Sequence, residues 1–269
     1  MNTLEKVYAT PSGDIHYWIT AGEPEKPWLV FLPGLTADHH LFDQQIPAFP
    51  AYNRLTWDAP GHAASRPFAL NFSMDDMARY LHEILEAEGI QNPVLIGQSL
   101  GGYIAQCYLA MYPGTVSGFV SIDSAPLSRK YFSGWELALL KDTRWMYEII
   151  PWKWLLKWGI TGTSMTAYGR ELMAKTWAVY DRGEYLDLTV HGYRILAEAV
   201  EARPEYRIDC PALLLCGEKD AAGSAKSYNR RWAKIDGVPL NWLAGAGHNS
   251  STDVPEEVNR LIGEFSKTL

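Results

Sequence analysis

Short runs of β-branched and aromatic residues alternate with helix-length segments along most of this chain, and this alternation limits its fold more than any other feature. Because alternating strands and helices form a mostly parallel sheet with helices on both faces, we expect an α/β protein with an eight-stranded sheet. After an opening strand and a tight turn, strands are predicted at residues 15–20, 28–32, 54–57, 94–96, 116–122, 212–216 and 240–243. Helices are predicted from Ser73 onward and at residues 99–111, 225–233 and 254–265.

Residues 126–207 interrupt the alternation. They contain helix-like segments and little strand pattern, and they hold twelve Lys and Arg against ten Asp and Glu. We interpret this interval as a helical cap inserted after the sixth strand, with residues 1–125 and 208–269 as the core domain. Six of the eleven tryptophans lie in the cap, where they either fill a small core or line an apolar pocket: Trp135, Trp145, Trp152, Trp154, Trp158 and Trp177.

The composition limits the partners and the compartment. The chain has 269 residues, of which 47% are hydrophobic, and its net charge of −7 disfavours nucleic acid and anionic membranes, which attract clustered Lys and Arg. The first residues show no pattern of a secretory signal, and no apolar run approaches the ~20 residues that span a bilayer. Cys107, Cys210 and Cys216 cannot all pair, which fits a reducing compartment. We expect a cytoplasmic monomer or homodimer without stable membrane association.

Ser99 lies between glycines in the run GQSLGG at residues 97–102, directly after an apolar run. The pattern predicts a sharp strand-to-helix turn with a strained backbone, which leaves no space for bulky side chains two residues before and after the serine. Such a turn exposes the serine hydroxyl to a substrate, and the amides of the following helix favour developing negative charge. Ordinary glycine-rich turns share this pattern, so a nucleophile also requires a base and an acid.

His248 is the candidate base for Ser99. A serine hydroxyl needs a base within hydrogen-bond reach. His248 follows the strand at residues 240–243 in a loop of small residues, and this loop emerges at the same edge of a parallel sheet as the serine. His16 and His82 are interpreted as structural, His39 or His40 as a substrate contact, and the remaining histidines are His62 in a loop and His191 in the cap.

Asp220 is the candidate acid that orients the histidine. It follows the seventh predicted strand, and its position between Ser99 and His248 in the chain matches the order Ser, Asp, His of a triad on a parallel sheet. Glu218, two residues earlier, and Asp123, after the sixth strand, are alternative acids at the same edge.

An oxyanion requires two hydrogen-bond donors. One is the backbone N–H of Leu100, directly after the nucleophile. The other is expected from the loop after the third strand, where Gly34 provides flexibility and Leu35 provides an amide. Pro33 has no N–H and cannot serve.

With these residues placed, the sequence resembles the α/β-hydrolase superfamily, in its cap-bearing branch of small serine esterases, over nearly the full chain. The run LPGL at residues 32–35 is similar to the oxyanion loop, and DAPGHAAS at residues 58–65 to the loop after the next strand. Residues 97–102 resemble the nucleophile turn, and Gly247 with His248 the base. The sequence departs from the usual pattern at Pro33, where the oxyanion loop often begins His-Gly, and at Ala63, where glycine is usual.

The resemblance implies acyl transfer through an acyl-enzyme on Ser99, without a metal or other cofactor. A serine at this turn argues against the haloalkane dehalogenase and epoxide hydrolase branches, which use aspartate there. The expected substrate is a small or medium apolar carboxylic ester, with Gly34, His39 and Trp154 as substrate contacts. Alternatives are carbon–carbon bond hydrolysis, lactone opening or perhydrolysis on the same triad, and a ligand receptor with the hydrolase fold.

Overall fold

The computed structural model describes residues 3–203 and 205–269. Its eight strands form one sheet in the order β1-β2-β4-β3-β5-β6-β7-β8. β1 and β2 pair antiparallel with each other and β2 with β4, whereas the remaining strands pair in parallel. The predicted α/β architecture with a mostly parallel eight-stranded sheet is confirmed. The strands are β1 (Thr3–Thr10), β2 (Gly13–Thr20), β3 (Trp28–Leu32), β4 (Asn53–Trp57), β5 (Val94–Gln98), β6 (Gly118–Ile122), β7 (Ala212–Gly217) and β8 (Leu240–Leu243).

Ten α-helices lie in the described part of the chain. The first begins after Ser73, whose side chain and that of Asp76 form a reciprocal capping box. The helices are α1 (Met74–Ala87), α2 (Leu100–Met111), α3 (Gly134–Lys141), α4 (Arg144–Glu148), α5 (Trp152–Thr163), α6 (Ala167–Trp177), α7 (Arg182–Glu201), α8 (Ala225–Asp236), α9 (Ser250–Asp253) and α10 (Pro255–Ser266).

The sheet is buried on both faces, which explains why its central strands read as continuous apolar runs. In β3, Val30 belongs to the apolar cluster that includes Leu81 of α1 and Ile104 of α2. Its neighbour Phe31 belongs to the opposite cluster, which includes Ile262 of α10. The parallel strands β3 to β8 have their carboxyl ends at one edge of the sheet, where the loops that follow them meet.

Five helices, α3 to α7, lie between β6 and β7, within the interval interpreted as a cap. Of its tryptophans, Trp177 is buried and Trp152 is half-buried. The other four are exposed, so they neither fill a core nor lie in an enclosed pocket: Trp135, Trp145, Trp154 and Trp158. The interpretation that they fill a small core is therefore wrong for most of them.

The predicted helix at residues 254–265 is found as α10, and a further short helix, α9, precedes it. α9 and α10 are separated at Val254, whose φ and ψ of −138° and 59° are not helical. Pro255 causes this break because its ring disfavours helical geometry in the preceding residue and removes one backbone donor. The three cysteines are free. Within the described residues, no helix has the length and apolar character needed to cross a membrane.

Candidate active site

The turn between β5 and α2 strains the backbone at Ser99. This residue has φ of 49° and ψ of −115°, a conformation that non-glycine residues rarely adopt. A Cβ at Gly97 would lie 2.4 Å from the carbonyl oxygen of Gly101, and a Cβ at Gly101 would lie 1.9 Å from that of Leu32. Only glycine fits at both positions, so the glycines of the motif are required by the tightness of the turn.

The structure brings Ser99, His248 and Asp220 into one hydrogen-bonded chain. His248 Nε2 lies 3.0 Å from Ser99 Oγ, and His248 Nδ1 lies 3.0 Å from Asp220 Oδ2. The Asp220 side chain is fully buried, and its other oxygen accepts a hydrogen bond from the amide of Ala222. With Nδ1–H donating to the carboxylate, Nε2 is free to accept the serine proton.

The two alternative acids have other surroundings. Glu218 is exposed on the turn after β7. Asp123 is buried, but its carboxylate accepts hydrogen bonds from the amides of Gly217 and Ser250 and from the hydroxyl of Ser250. Of these three acids, Asp220 is the one hydrogen-bonded to the imidazole. Asp123 instead ties the end of β7 to the start of α9.

Burial and charge shift the pKa values of these groups. Burial lowers the pKa of His248, but the hydrogen bond and the charge of Asp220 outweigh it, so the pKa lies above its usual range. Burial, together with the nearby charge of Asp220, raises the pKa of Asp123. The negative charge beside the imidazole therefore favours the imidazolium that forms when the serine proton is transferred.

Two backbone amides next to Ser99 are available to an oxyanion. Leu100 is the first residue of α2, where backbone N–H groups have no partner within the helix. Gly34 lies against the nucleophile, since a Cβ there would be 3.0 Å from Ser99 Cβ and 2.2 Å from Gln98 Oε1. Leu35, whose amide is the other candidate donor, follows Gly34 directly in the chain. Neither the Leu35 nor the Leu100 amide has an acceptor among the described residues.

Helix α7 covers the loop that carries these amides. A Cβ at Gly192 would lie 2.5 Å from Leu35 Cδ1, so the leucine side chain rests directly on the helix. One turn earlier, Leu188 lies against Gly61 of the loop after β4, next to Leu70. Helix α7 thus packs with apolar side chains against the loops after β3 and β4.

The loop that carries His248 is anchored to the segment between α5 and α6. The carboxylate of Asp253 accepts hydrogen bonds from the amides of Gly247, Met165 and Thr166 and from the hydroxyl of Thr166. The amide of Asn249 donates to the carbonyl of residue 163, and its side chain donates to the hydroxyl of residue 164. Sequence reasoning missed this anchor because its partners lie about 88 residues apart.

His39 and Trp154, predicted as substrate contacts, have other surroundings. The His39 ring stacks on Trp18 with centroids 3.5 Å apart, and its Nδ1 lies 2.9 Å from Asp58 Oδ1. It lines a cavity of about 250 Å³ between β2, β4 and the following loops, whose lining does not include Ser99. Trp154 is 41% exposed on the outer face of α5. Neither contact supports a role at the triad.

Two clusters of side chains have the composition of a metal site. The first is Asp38 with His39 and His40, and the second is Asp123 with Cys216 and Asp220. In both, hydrogen bonds already occupy carboxylate oxygens: Asp38 accepts from the His40 amide, and the two buried acids accept from backbone amides.

The mostly parallel sheet, the strained serine turn and the hydrogen-bonded Ser-His-Asp chain define a protein of the hydrolase class with an α/β core. The model of the alpha/beta hydrolase fold family matches residues 27–251, and the chain belongs to this family.

Several relatives by sequence are named 2-succinyl-6-hydroxy-2,4-cyclohexadiene-1-carboxylate synthase. One from Klebsiella pneumoniae is 27% identical over 253 residues, which is 91% of this chain and 95% of the relative. One from Escherichia coli is 36% identical over 106 residues. These residues are 39% of this chain and 42% of the relative, so the match spans less than half of either protein.

Solved structures show the same fold at low identity. The Cif epoxide hydrolase from Acinetobacter nosocomialis superposes with a TM-score of 0.81 at 16% identity, covering 98% of this chain and 88% of the other. A thermophilic esterase from Thermogutta terrifontis superposes with a TM-score of 0.72 at 20% identity, covering 100% and 99%.

Proposed function

We propose that this protein is a serine hydrolase that cleaves small or medium apolar carboxylic esters. The observation that carries the proposal is the hydrogen-bonded chain from Ser99 Oγ through His248 to Asp220, with 3.0 Å at each step. Two amides without acceptors beside the serine, on Leu35 and Leu100, support attack on a carbonyl group.

The proposed reaction has two halves. His248 Nε2 takes the proton of Ser99 Oγ as the oxygen attacks the ester carbonyl carbon, and the amides of Leu35 and Leu100 hold the oxyanion. The imidazolium, stabilised by Asp220, then protonates the leaving alcohol and leaves an acyl-enzyme. A water molecule gives its proton to His248 and attacks the acyl carbon. Release of the carboxylic acid returns the proton to Ser99.

A second candidate is the synthase reaction named for the relatives. It is favoured by one observation, the alignment with the Klebsiella protein over 91% of this chain. At 27% identity the two proteins can differ in substrate while sharing the triad and the fold.

Hydrolysis of 4-nitrophenyl esters from acetate to decanoate tests the proposal. We expect turnover that is highest for short and medium chains and that falls by several orders of magnitude in Ser99→Ala. The synthase product is measured in parallel, with the Klebsiella relative as the positive control. Ester turnover no higher than that of Ser99→Ala would exclude the ester hydrolase, and synthase product formation at the control's rate would favour the second candidate.

A further inference from the structure

Helix α5 carries two exposed tryptophans beside two lysines. Trp154 is 41% exposed and Trp158 is 56% exposed, and Lys153 and Lys157 are exposed next to them. The two tryptophans are four positions apart, and so are the two lysines. Residues at this spacing lie on the same side of a helix, and because the two pairs are adjacent in the chain, all four share one face. We call this face the Trp/Lys stripe.

The stripe is organised rather than scattered. The two indole rings lie with centroids 6.0 Å apart, and Lys157 Nζ lies 5.2 Å from the Trp154 ring. The opposite face of α5 is packed inward: Leu155 is buried, and Trp152 contacts another aromatic ring of the cap. Helix α5 therefore presents large aromatic groups on the face that points away from the protein.

The apolar surface continues into the residues before α5. Ile149 is 73% exposed and Trp145 is 54% exposed. Between Arg144 and the end of α5 there are three basic residues and one acidic residue, Glu148, which pairs with Arg144. α5 itself contains no acidic residue. Arg144 also pairs with Asp187 of α7, so the positive charge of this apolar region is that of Lys153 and Lys157.

Exposed tryptophans and lysines on one helix face have the chemistry of the membrane interface. Indole rings favour the headgroup region, where the ring is shielded from water while its N–H can donate, and lysines bind anionic headgroups. We propose that the Trp/Lys stripe binds the surface of an anionic lipid bilayer, with Trp154 and Trp158 at the headgroup level and the lysines against phosphates. This binding is independent of the proposed ester hydrolysis.

A lipid surface fits the stripe better than a second copy of this chain. In a symmetric dimer through this face, Lys153 and Lys157 of both copies would be desolvated together, and α5 offers no carboxylate to pair with them. Anionic headgroups supply the missing countercharge. The expectation of no membrane association came from the net charge of the whole chain, which does not report the local excess of positive charge on the cap.

Co-sedimentation with vesicles tests the proposal. The full chain is mixed with vesicles of phosphatidylcholine alone, or with vesicles in which roughly 30% of the lipid is the anionic phosphatidylglycerol. We expect binding to the anionic vesicles that falls about tenfold or more in the double variant Trp154→Ala with Trp158→Ala. Lys153→Gln with Lys157→Gln should weaken it by roughly fivefold per lysine, and added salt should weaken it further.

The matched control removes similar groups from another helix. Lys234→Gln with Ile235→Ala deletes one exposed lysine and one exposed apolar side chain of α8, and we expect it to bind like the unchanged protein. Circular dichroism verifies that every variant is folded. Three results would overturn the proposal: no binding to anionic vesicles, equal binding by the tryptophan variant, or equal binding to uncharged vesicles. A dimer that the tryptophan variant dissociates, without vesicle binding, would assign the stripe to self-association instead.

Discussion

Asp253 should determine both the stability of the fold and the position of the base. Its carboxylate accepts hydrogen bonds from three backbone amides, those of Gly247, Met165 and Thr166. In Asp253→Asn, either orientation of the amide leaves one of these donors without an acceptor, at ~1–3 kcal/mol for a buried group. In Asp253→Ala all three lose their acceptor, so we expect a loss of at least about 3 kcal/mol on the same scale.

Urea unfolding and steady-state kinetics measure the two consequences. Because Gly247 precedes His248, loosening of the loop should also lower kcat/KM by roughly tenfold to a hundredfold, as small displacements of catalytic groups do. The control is Asp187→Asn, which removes one carboxylate from an exposed ion pair with Arg144 and should cost less than about 1 kcal/mol. An Asp253→Ala variant as stable and active as this control would refute the role of the anchor.

The other predictions concern the acid, the base and the cap. Asp220→Asn should lower kcat about 10³–10⁴-fold, because an amide no longer enforces the required tautomer of His248, whereas Glu218→Gln on the exposed turn should leave it unchanged. Equal losses would contradict the assignment of the acid. The pKa of His248 is raised, and the neutral imidazole is the base, so kcat/KM should rise with pH through an apparent pKa above 6.5. A rise of kcat/KM centred below pH 6.5 would contradict this prediction. Gly192→Ala should displace Leu35 and change the KM for longer acyl chains, whereas Gly162→Ala, with open space around its Cβ, should not; identical chain-length profiles would exclude contact of α7 with the acyl site.

The nucleophile turn could be predicted from sequence because its requirements are local. Gly97 and Gly101 are needed to avoid overlap within a few residues of Ser99, and the adjacent apolar run marks the strand that precedes it. His248 and Asp220 could be placed at the same edge because loops after parallel strands emerge together. The sequence favours Asp220 over Asp123 because Asp220 lies between Ser99 and His248 in the chain, but only the structure shows which group each acid contacts.

Contacts formed by distant packing could not be predicted in the same way. The ring of His39 is held by Trp18 of β2 and by Asp58, and nothing in the residues next to His39 indicates either partner. The outward direction of Trp154 depends on which face of α5 packs against the neighbouring helices. A tryptophan inside a helical pattern usually predicts core, and here the buried face is formed by Leu155 instead.

Reaction with a fluorophosphonate tests the central claim most directly, because the reagent labels a serine only where a base activates its hydroxyl. Intact mass spectrometry should show one adduct per chain, peptide mapping should place it on Ser99, and Ser99→Ala should remain unlabelled. The labelling rate should fall in Asp220→Asn, since the acid orients His248. An unlabelled protein, or an adduct on a different serine, would contradict the account of Ser99 as an activated nucleophile.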